Sequence, residues 1–516
     1  MTSTAAPRPP IARPAARDAI LLTVLALLVR FWRLGEAALL PDESYYWLWS
    51  QRLAPAYYDN AAGVAWMIRL STLLGGSSEW GVRWLNAALG AAAAGLAYLV
   101  GEQLFSRRAG VLSALAIALG APYLVISRWV YTDALQLFLL LLNLYLIVSV
   151  TAGQGTARQD AAGRAPIHSG WFWAIGLSMA ELFNTKYNAY LYAGAIGIAV
   201  LVWRRSLLRD RRTWLAVGLA ALGALPVLWW NAAHNWASFR WQWAHFVGGS
   251  TTALGPLNPA SLPGNLRHIW AYVTPPLVAL ALPGLAMWHA SETRPWIEPR
   301  LLLVPALALV VPIVLSPAGS PRNLVNGLAL LLILGAGWID RFMRSRFAAA
   351  GWGAALGLIL LTAVYGAGTI LGSLAPTAWP RSSVADIVRA DSRGWRDAAT
   401  LELDADIPIF ALDYGIAAQL SYYLDRPVYT SWGQYRLWGI PSLDEVQIVA
   451  LTFVDPDLVS ARLAETFARV DGPRTTYLQD RMGTKPLWIW QASGMRVDME
   501  VFLDRLDFLA LMQATP

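Results

Sequence analysis

Residues 41–70 have the sequence PDESYYWLWSQRLAPAYYDNAAGVAWMIRL and follow the first long apolar run of the chain. The stretch is not a membrane span itself, because Asp42, Glu43 and Asp59 interrupt it and seven Tyr or Trp residues crowd it. Aromatic residues of this kind collect at membrane–water interfaces. Acidic side chains held among them at a bilayer surface suit chemistry on a polar substrate that is carried by a lipid.

The composition of the whole chain is that of a membrane protein. Of its 516 residues, 56% are hydrophobic and only 14% are charged, whereas a soluble domain carries about 25% charged residues. The net charge of +7 comes mostly from Arg in short connections, which is a topology signal and argues against a nucleic-acid partner. The chain has no Cys, which excludes disulfides and thiolate metal sites.

Several apolar runs are long enough, at about 20 residues, to cross a bilayer. The predicted spans number eleven and are 18–34, 85–104, 109–127, 131–150, 170–185, 187–203, 213–231, 269–288, 300–316, 323–340 and 350–373. Every second connection is rich in Arg, which places these connections and the Pro/Arg-rich tail 1–17 in the cytoplasm. The loop 35–84 and everything after about residue 375 then face outward. The tail has no cleavage signal, so the first span is expected to be retained.

The chain beyond the last span, residues 376–516, is more polar and predicts a small α/β domain outside the membrane. PIFALDY, VQIVALTFV and PLWIWQA have the patterns of strands, while GIAAQLSYYL and MEVFLDRLDFLALM have those of helices. The predicted fold class is therefore a polytopic α-helical membrane domain, residues 18–375, followed by this domain.

Unusual polar residues collect in the outward connections. Besides the three acids of the first loop, they are Arg128, Asp133, Lys186, His234, His245 and Arg322. An ionisable group near membrane depth is costly and usually has a partner or a function. Because these groups come from distant parts of the chain but share one membrane face, they indicate one site.

Each acidic residue has a structural and a functional interpretation. Asp42 and Glu43 could cap a helix that starts at SYYWLWSQRL, or one of them could be a general base that takes a proton from an acceptor hydroxyl or amine. A cap can also position a base. Asp59 could be a turn residue or lie near the reaction centre. A divalent cation between Asp42 and Asp59 is left open, and no other cofactor is expected.

The basic residues have similar alternatives. Arg128 and Asp133 could form an interfacial charge pair, and Lys186 could reach the interface with its ammonium group. Since Lys occurs only twice in the chain, at 186 and 485, Lys186 is also a candidate to bind phosphate. His234 could belong to an aromatic belt or contact a sugar or phosphate.

Four stretches together resemble successive motifs of a known family. They are PDESYYWLWSQRLAPAYYD at 41–59, SRWVYTDALQLFLL at 127–140, GLSMAELFNTKYNAYL at 176–191 and PVLWWNAAHNWASFRWQWAH at 226–245. These resemble bacterial membrane glycosyltransferases of the dolichyl-phosphate-mannose–protein mannosyltransferase superfamily, which includes the aminoarabinose–lipid A transferases. The resemblance covers about residues 20–340.

The resemblance implies the GT-C fold, with amphipathic helices in the first outer loop. It also implies a sugar donor linked to polyprenyl phosphate and inversion at the anomeric carbon. Asp42 matches the catalytic aspartate of the family, Glu43 its companion and Asp59 the second acidic position of the loop. Asp133 matches an acid at the outer end of a span, and Lys186 the basic residue of a Lys-Tyr motif.

One segment departs from the family. Relatives commonly follow the YYD sequence with Lys or His and then two prolines, whereas this chain has Asn60-Ala61-Ala62-Gly63. A late motif is also replaced, by SPAGSPRNLVNG at 316–327. Arg322 is a candidate to supply the positive charge that is lost, and the choice of substrate is expected to differ here.

These observations predict a glycosyltransferase of the bacterial cytoplasmic membrane whose site faces outward. Asp42, Glu43 and Asp59 are the candidate catalytic residues, and Lys186, Arg128 and Arg322 are the candidates to bind the donor phosphate. The candidate substrate-binding residues are Tyr58, Asn60, Asp133, Tyr187 and His234. The acceptor could be a lipid, a cell-wall glycan or a protein, and the enzyme is expected to be a monomer. The alternatives are a non-catalytic protein that binds lipid-linked sugar and a flippase or transporter.

Overall fold

The chain folds into a helical bundle that carries a small mixed α/β unit at one end. The structure, a computed structural model, describes residues 13–157, 169–247, 259–289, 299–316, 320–375, 383–480, 483–507 and 511. The predicted tail 1–17 therefore lies mostly outside the described residues, as do parts of the predicted C-terminal helix.

The bundle contains long apolar helices and shorter helices that connect them. In chain order they are α1 (Arg13–Phe31), α2 (Pro41–Gln51), α3 (Gly63–Gly75), α4 (Glu79–Leu104), α5 (Arg107–Leu119), α6 (Ala121–Arg128), α7 (Thr132–Ala157), α8 (Ser169–Phe183), α9 (Ala189–Trp203), α10 (Arg211–Ala233), α11 (Ala237–Val247), α12 (Leu262–Val273), α13 (Pro275–Ala281), α14 (Arg300–Leu315), α15 (Val325–Met343) and α16 (Ala348–Leu374). Short 3₁₀ turns lie at Arg205–Arg209, Pro259–Ser261, Leu282–His289 and Pro321–Leu324.

Each of the eleven predicted spans overlaps a helix or a bent pair of helices. Within the described part of the chain, five helices are long and apolar enough to cross a membrane, or seven if each bent pair is one span. Helix α1 is not among the five, because Arg17, Asp18 and Arg30 reduce its apolar character. The protein is thus a multi-pass membrane protein, and the count of eleven spans stays a prediction.

Helix α2 begins where the sequence provides two start signals. Pro41 is the first helical residue, a position that needs no backbone N–H donor. Glu43 lies two residues later, and its Oε2 accepts a hydrogen bond from the backbone N–H of Leu40 at 2.9 Å. The side chain of Asp42 is thereby fixed at the first turn of a helix.

Helix α3 follows in the same loop and exposes apolar side chains on one face. Val64, Ala65 and Ile68 are buried against the bundle. The exposed face carries Trp66, Leu70, Leu73 and Leu74. Such a helix suits the lipid interface, as the resemblance implies for the first outer loop.

Helices α5 and α6 meet at a bend of 56°. Pro122 lies in the first turn of α6 and has no N–H to offer the carbonyl of Ala118. The buried Arg30 of α1 replaces that donor: its Nη1 donates to the carbonyl oxygen of Ala118 at 3.0 Å and its Nη2 to that of Ile117 at 3.0 Å. A side chain of another helix therefore supplies hydrogen bonds at the break between α5 and α6.

The C-terminal unit is built on a five-stranded sheet of order β2-β1-β3-β5-β4. Its elements in chain order are α17 (Ser383–Ser392), β1 (Ile409–Ala411), α18 (Tyr414–Leu424), β2 (Val428–Tyr429), α19 (Gly433–Trp438), β3 (Glu445–Leu451), α20 (Pro456–Ala464), β4 (Phe467–Asp480), β5 (Gly483–Met495) and α21 (Met499–Arg505), with a 3₁₀ turn at Trp395–Thr400. Strand β1 pairs in parallel with β2 and β3, whereas β5 is antiparallel to β3 and β4.

The strands and helices predicted in this unit occur in the structure, together with two strands that were not predicted. Strand β3 lies centrally because its residues 446–450 are apolar or paired and fully buried. Strands β2 and β4 were missed: β2 has only two residues, and β4 is largely polar along its exposed length. The sheet packs against α20 and α21 in a core that includes Phe410, Ile448 and Phe502.

The C-terminal unit sits on the end of the bundle that carries α2. The Gln419 amide donates to the carbonyl oxygen of Leu39 at 2.7 Å, and the Tyr423 hydroxyl accepts from the Leu39 N–H at 2.7 Å. Two glycines allow the close approach. A Cβ at Gly415 would lie 2.5 Å from the Cβ of Pro41, and one at Gly433 would lie 2.4 Å from the ring of Tyr58.

Candidate active site

Asp42 lies where the bundle and the C-terminal unit meet. Its Oδ2 accepts a hydrogen bond from Arg322 Nη1 at 2.9 Å, and its Oδ1 accepts one from the hydroxyl of Tyr414 at 2.8 Å. The Asp42 side chain is 21% exposed. It is thus held from two sides and still open to a molecule that enters the site.

A second acid lies beside this pair, at the start of α7. Asp133 Oδ1 accepts from Lys186 Nζ at 2.8 Å, and Lys186 also donates to Asn323 Oδ1 at 2.6 Å. Arg322 Nε lies 3.8 Å from Asp133 Oδ2. The structure therefore brings together four of the predicted site residues, two with acidic and two with basic side chains. We call this group the acid–base cluster: Asp42, Asp133, Lys186 and Arg322.

Glu43 is placed differently from its neighbour Asp42. Its carboxylate is fully buried and accepts from Arg83 Nε at 2.8 Å and Arg83 Nη2 at 2.6 Å. It also accepts from the backbone N–H groups of Leu40 and Val130. Glu43 therefore positions α2, and its carboxylate is not open to a substrate in this structure; its predicted part as a catalytic companion stays a prediction.

Arg128 also has a different place from the one predicted. Its buried guanidinium donates to the carbonyl oxygens of Val29, Arg30 and Trp32 at the end of α1. These donors are directed into the protein, and binding of the donor phosphate by Arg128 stays a prediction. The alternative, a charge pair of Arg128 with Asp133, is wrong, because Asp133 pairs with Lys186. Cationic side chains stabilise helix C-termini in this way.

Asp59 is held by aromatic donors from both units. Its Oδ2 accepts from the Tyr45 hydroxyl, and its Oδ1 accepts from Trp432 Nε1 at 3.0 Å. Burial raises the pKa of Asp59 to about 7, although both hydrogen bonds oppose the shift because they stabilise the carboxylate. Gln242 of α11 donates to its backbone carbonyl. Asp59 thus connects α2, α11 and the C-terminal unit near the acid–base cluster.

The residues beside Asp59 contact the C-terminal unit as well. The backbone N–H of Tyr58 donates to Gln434 Oε1 at 2.6 Å, and the Tyr58 ring packs on Trp241 with ring centroids 5.5 Å apart. Asn60 is buried, and its Oδ1 accepts from the N–H of Ala61 at 3.0 Å. Asn60 therefore stabilises the turn before α3, and its predicted contact with the substrate stays a prediction.

Tyr187 contacts α11, whereas His234 packs on its own helix. The hydroxyl of Tyr187 lies 2.7 Å from Ser238 Oγ of α11. The His234 ring stacks on Trp230 with centroids 4.1 Å apart, and its Nδ1 lies 2.8 Å from the Trp230 carbonyl oxygen. His234 thus belongs to the end of α10, as in the aromatic-belt interpretation, and substrate binding by either residue stays a prediction.

The described residues contain no group of three or more His, Asp or Glu side chains that could hold a metal ion. The oxygens of Asp42 are engaged by Arg322 and Tyr414, and those of Asp59 by Tyr45 and Trp432. Use of a divalent cation stays a prediction.

Several residues of the site were not found from the sequence. Arg83 was detectable, since an Arg at the start of an apolar span needs an acidic partner. The others, Tyr414, Trp432 and Asn323, gave no signal, because nothing in the sequence shows which part of the C-terminal unit meets the first loop.

Comparison with known proteins gives one family match and one curated relative. Residues 59–230 match the model of the dolichyl-phosphate-mannose-protein mannosyltransferase family. The lipid A galacturonosyltransferase RgtD of Rhizobium johnstonii is 30% identical over 206 residues, which are 39% of this chain and 40% of the relative. The chain thus aligns with less than half of the length of that curated relative.

Solved structures match over almost the whole chain. ArnT of Cupriavidus metallidurans, in the apo state, superposes with a TM-score of 0.61 at 17% identity and covers 92% of this chain and 98% of its own. The chain has the GT-C fold. An oligosaccharyltransferase of Archaeoglobus fulgidus also has a similar fold, with a TM-score of 0.53 at 12% identity over 96% of this chain and 76% of that one. The resemblance to membrane glycosyltransferases that the four motifs indicated is confirmed.

Proposed function

We propose that this protein is an inverting glycosyltransferase that moves a sugar from a polyprenyl phosphate to an acceptor at the outer face of the cytoplasmic membrane. In this proposal the bundle spans the membrane eleven times, and the C-terminal unit lies outside. The observation that carries it is the acid–base cluster, in which an accessible carboxylate, Asp42, shares Arg322 with a second acid and lies near Lys186.

Asp42 is the general base of the proposed reaction. One of its oxygens takes the proton from the acceptor hydroxyl or amine, whose oxygen or nitrogen forms a bond to the anomeric carbon of the sugar. The bond from that carbon to the phosphate oxygen breaks on the opposite face, and its electron pair leaves with the lipid phosphate. The configuration at the anomeric carbon is thereby inverted.

The charges of the cluster suit this movement of negative charge. When Asp42 takes a proton it becomes neutral, while the phosphate changes from a singly charged diester to a doubly charged monoester at high pH. Arg322, which is 31% exposed, contacts the group that loses charge. Its positive charge then becomes available to the departing phosphate, to which Lys186 contributes a second cation.

The relatives suggest the first substrates to test. A second ArnT structure, also from Cupriavidus metallidurans, contains undecaprenyl phosphate and superposes with a TM-score of 0.60 at 19% identity, over 92% of this chain and 98% of that one. RgtD is named for lipid A and galacturonic acid. We therefore propose an undecaprenyl-phosphate sugar as donor and lipid A as the first acceptor, with a uronic acid, a neutral hexose and an amino sugar compared as the transferred group.

The test uses the purified full-length protein in lipid nanodiscs, with mass spectrometry of the acceptor. Wild type should transfer at least one of the three sugars, and Asp42→Asn should lower kcat by about 10³-fold, within the range for loss of a general base. Asp406→Asn, in an exposed loop of the C-terminal unit, is the matched control and should retain full activity. Turnover by Asp42→Asn at the wild-type rate would rule out the proposed base, and binding of donor without transfer to any acceptor would favour the non-catalytic alternative.

A further inference from the structure

Two aromatic residues of the C-terminal unit reach two of the three acids of the first loop, Asp42 and Asp59. The Tyr414 hydroxyl donates to Asp42 Oδ1 at 2.8 Å, and Trp432 Nε1 donates to Asp59 Oδ1 at 3.0 Å. The rings of Tyr414 and Trp432 pack on each other with centroids 4.8 Å apart. The two hydrogen-bond donors therefore belong to one pair of packed aromatic side chains.

The position of Tyr414 is fixed by the start of α18. Asp413 precedes the helix, and its Oδ1 accepts from the N–H groups of Gly415 at 2.8 Å and Ile416 at 3.2 Å. Gly415 lies against Pro41, since a Cβ at Gly415 would be only 2.5 Å from that of Pro41. The first turns of α18 and α2 therefore face each other directly, and Asp42 and Tyr414 meet between them.

We propose that Tyr414 is a positioning residue of the reaction centre, through which the C-terminal unit orients Asp42 and stabilises its ionised form. This inference rests on the proposed function, in which Asp42 is the base. It gives the C-terminal unit a part in the reaction itself, in addition to any role in binding an acceptor.

The geometry leaves room for this role. Each carboxylate oxygen can accept more than one hydrogen bond, so Arg322 and Tyr414 hold the group and still leave acceptor capacity for the incoming proton. A donor to a carboxylate stabilises its charged form, so removal of that donor makes the group hold its proton up to a higher pH. The other charged or titratable groups around Asp42 are Tyr46, Asp59, Tyr131, Asp133, Lys186, Asp391 and Asp413.

Tyr414→Phe is the test variant, because it removes the hydroxyl and keeps the ring. The acidic limb of its pH–kcat profile should move to higher pH by about one unit, so that kcat on that limb falls about tenfold. On the alkaline plateau kcat should change by less than about threefold, and the KM for the donor by less than about twofold, as expected for a group that acts on the base and not on the substrate.

Tyr435→Phe is the matched control. Tyr435 is a buried Tyr of the same unit, and its hydroxyl has no hydrogen-bond partner among the described residues. Its removal should leave the pH–kcat profile unchanged, and both variants should unfold near the wild-type temperature. An equal loss of kcat at all pH values in Tyr414→Phe, or no loss at any pH, would overturn the inference.

Infrared difference titration separates this inference from the proposed function. The carboxyl band that is present in wild type and absent in Asp42→Asn reports the titration of Asp42 without any turnover. Tyr414→Phe should move its midpoint to higher pH, and an unmoved midpoint would overturn the inference. If Asp42→Asn still transfers sugar, the proposed function fails, while the titration still decides whether Tyr414 controls this carboxyl.

Discussion

Two neighbouring acids, Asp42 and Glu43, have opposite environments. Asp42 is 21% exposed and meets one cation and one neutral hydroxyl, whereas Glu43 is 0% exposed and forms two hydrogen bonds with Arg83. Pairs of carboxylates in such different surroundings divide their roles. Glu43 fixes the helix, and in the proposed function Asp42 faces the substrate.

Glu43→Gln should therefore destabilise the protein. Removing one partner of a buried ion pair leaves the charge of Arg83 uncompensated, which costs about 3–5 kcal/mol. Thermal unfolding in detergent should show a lower melting temperature for this variant. Glu402→Gln is the control, because Glu402 is 90% exposed in its contact with Arg474 and an exposed pair contributes about 0–1 kcal/mol. Equal melting temperatures of the two variants would contradict the assignment.

Asp59 should make the stability depend on pH. Its pKa is about 7 in the folded protein and about 3.9 in an unfolded chain. Between these values the folded state holds a proton that the unfolded state has lost, so stability should fall as pH rises from about 4 to 7. The loss should be up to about 4 kcal/mol. In Asp59→Asn, the melting temperature should depend less on pH between about 4 and 7. A dependence as steep as in wild type would contradict the assigned pKa of Asp59.

The membership of the acid–base cluster could be predicted in large part from the sequence. Asp42, Asp133, Lys186 and Arg322 are rare ionisable groups at outward ends of apolar runs, and their cost in the membrane indicates a common site. Their partners could not be predicted. The same reasoning selected Arg128, which instead binds the end of α1, because hydropathy shows the depth of a residue but not the direction of its side chain.

Among the elements, the bend between α5 and α6 depends on a residue from another helix. Arg30 is fully buried and donates to the carbonyl oxygens of Ile117 and Ala118 and to Ser127 Oγ. The sequence predicts one continuous span at 109–127, since Gly120 and Pro122 weaken the apolar pattern too little to divide it. The bend turns the C-terminus of α6 towards the end of α1.

Arg30→Met should destabilise this bend. It leaves two buried carbonyl groups without a donor, at a cost of about 1–3 kcal/mol for each. Thermal unfolding should show a clearly lower melting temperature than in Arg205→Met, which removes a single contact of an exposed Arg to the carbonyl oxygen of Leu201. If Arg205→Met lowers the melting temperature as much, the bend does not depend on Arg30.

At the scale of the whole molecule, the candidate active site contains side chains from both units. The approach is close enough that Gly415 has no space for a side chain beside Pro41. Hydrophobic patterns identified the two units and the order of their elements. They could not identify the surfaces that meet, because docking depends on single positions such as Gly415 and Gly433, and only their surroundings in space distinguish them from other glycines.

Gly415→Ala should separate the two units slightly and lower activity. Its new Cβ would meet Pro41 at 2.5 Å and Asp413 Oδ1 at 2.9 Å, so α18 must move away from α2 and weaken the contact of Tyr414 with Asp42. We expect a loss of kcat of about tenfold or more. Gly357→Ala is the control, because nothing lies within 4 Å of its new Cβ. Full activity in Gly415→Ala would show that the close contact is dispensable.

The apolar face of α3 has a consequence for the choice of acceptor. Trp66, Leu70, Leu73 and Leu74 are exposed, and in the proposed function they place this helix at the lipid surface. The Gly63 N–H at its start donates to the carbonyl oxygen of Asn184 at 2.6 Å. If the proposed function holds, the helix, the Lys186 loop and Asp42 lie at one fixed distance from the hydrocarbon. We then expect an acceptor group at the level of the lipid headgroups to reach Asp42, and one that projects far into the aqueous space to lie out of its reach.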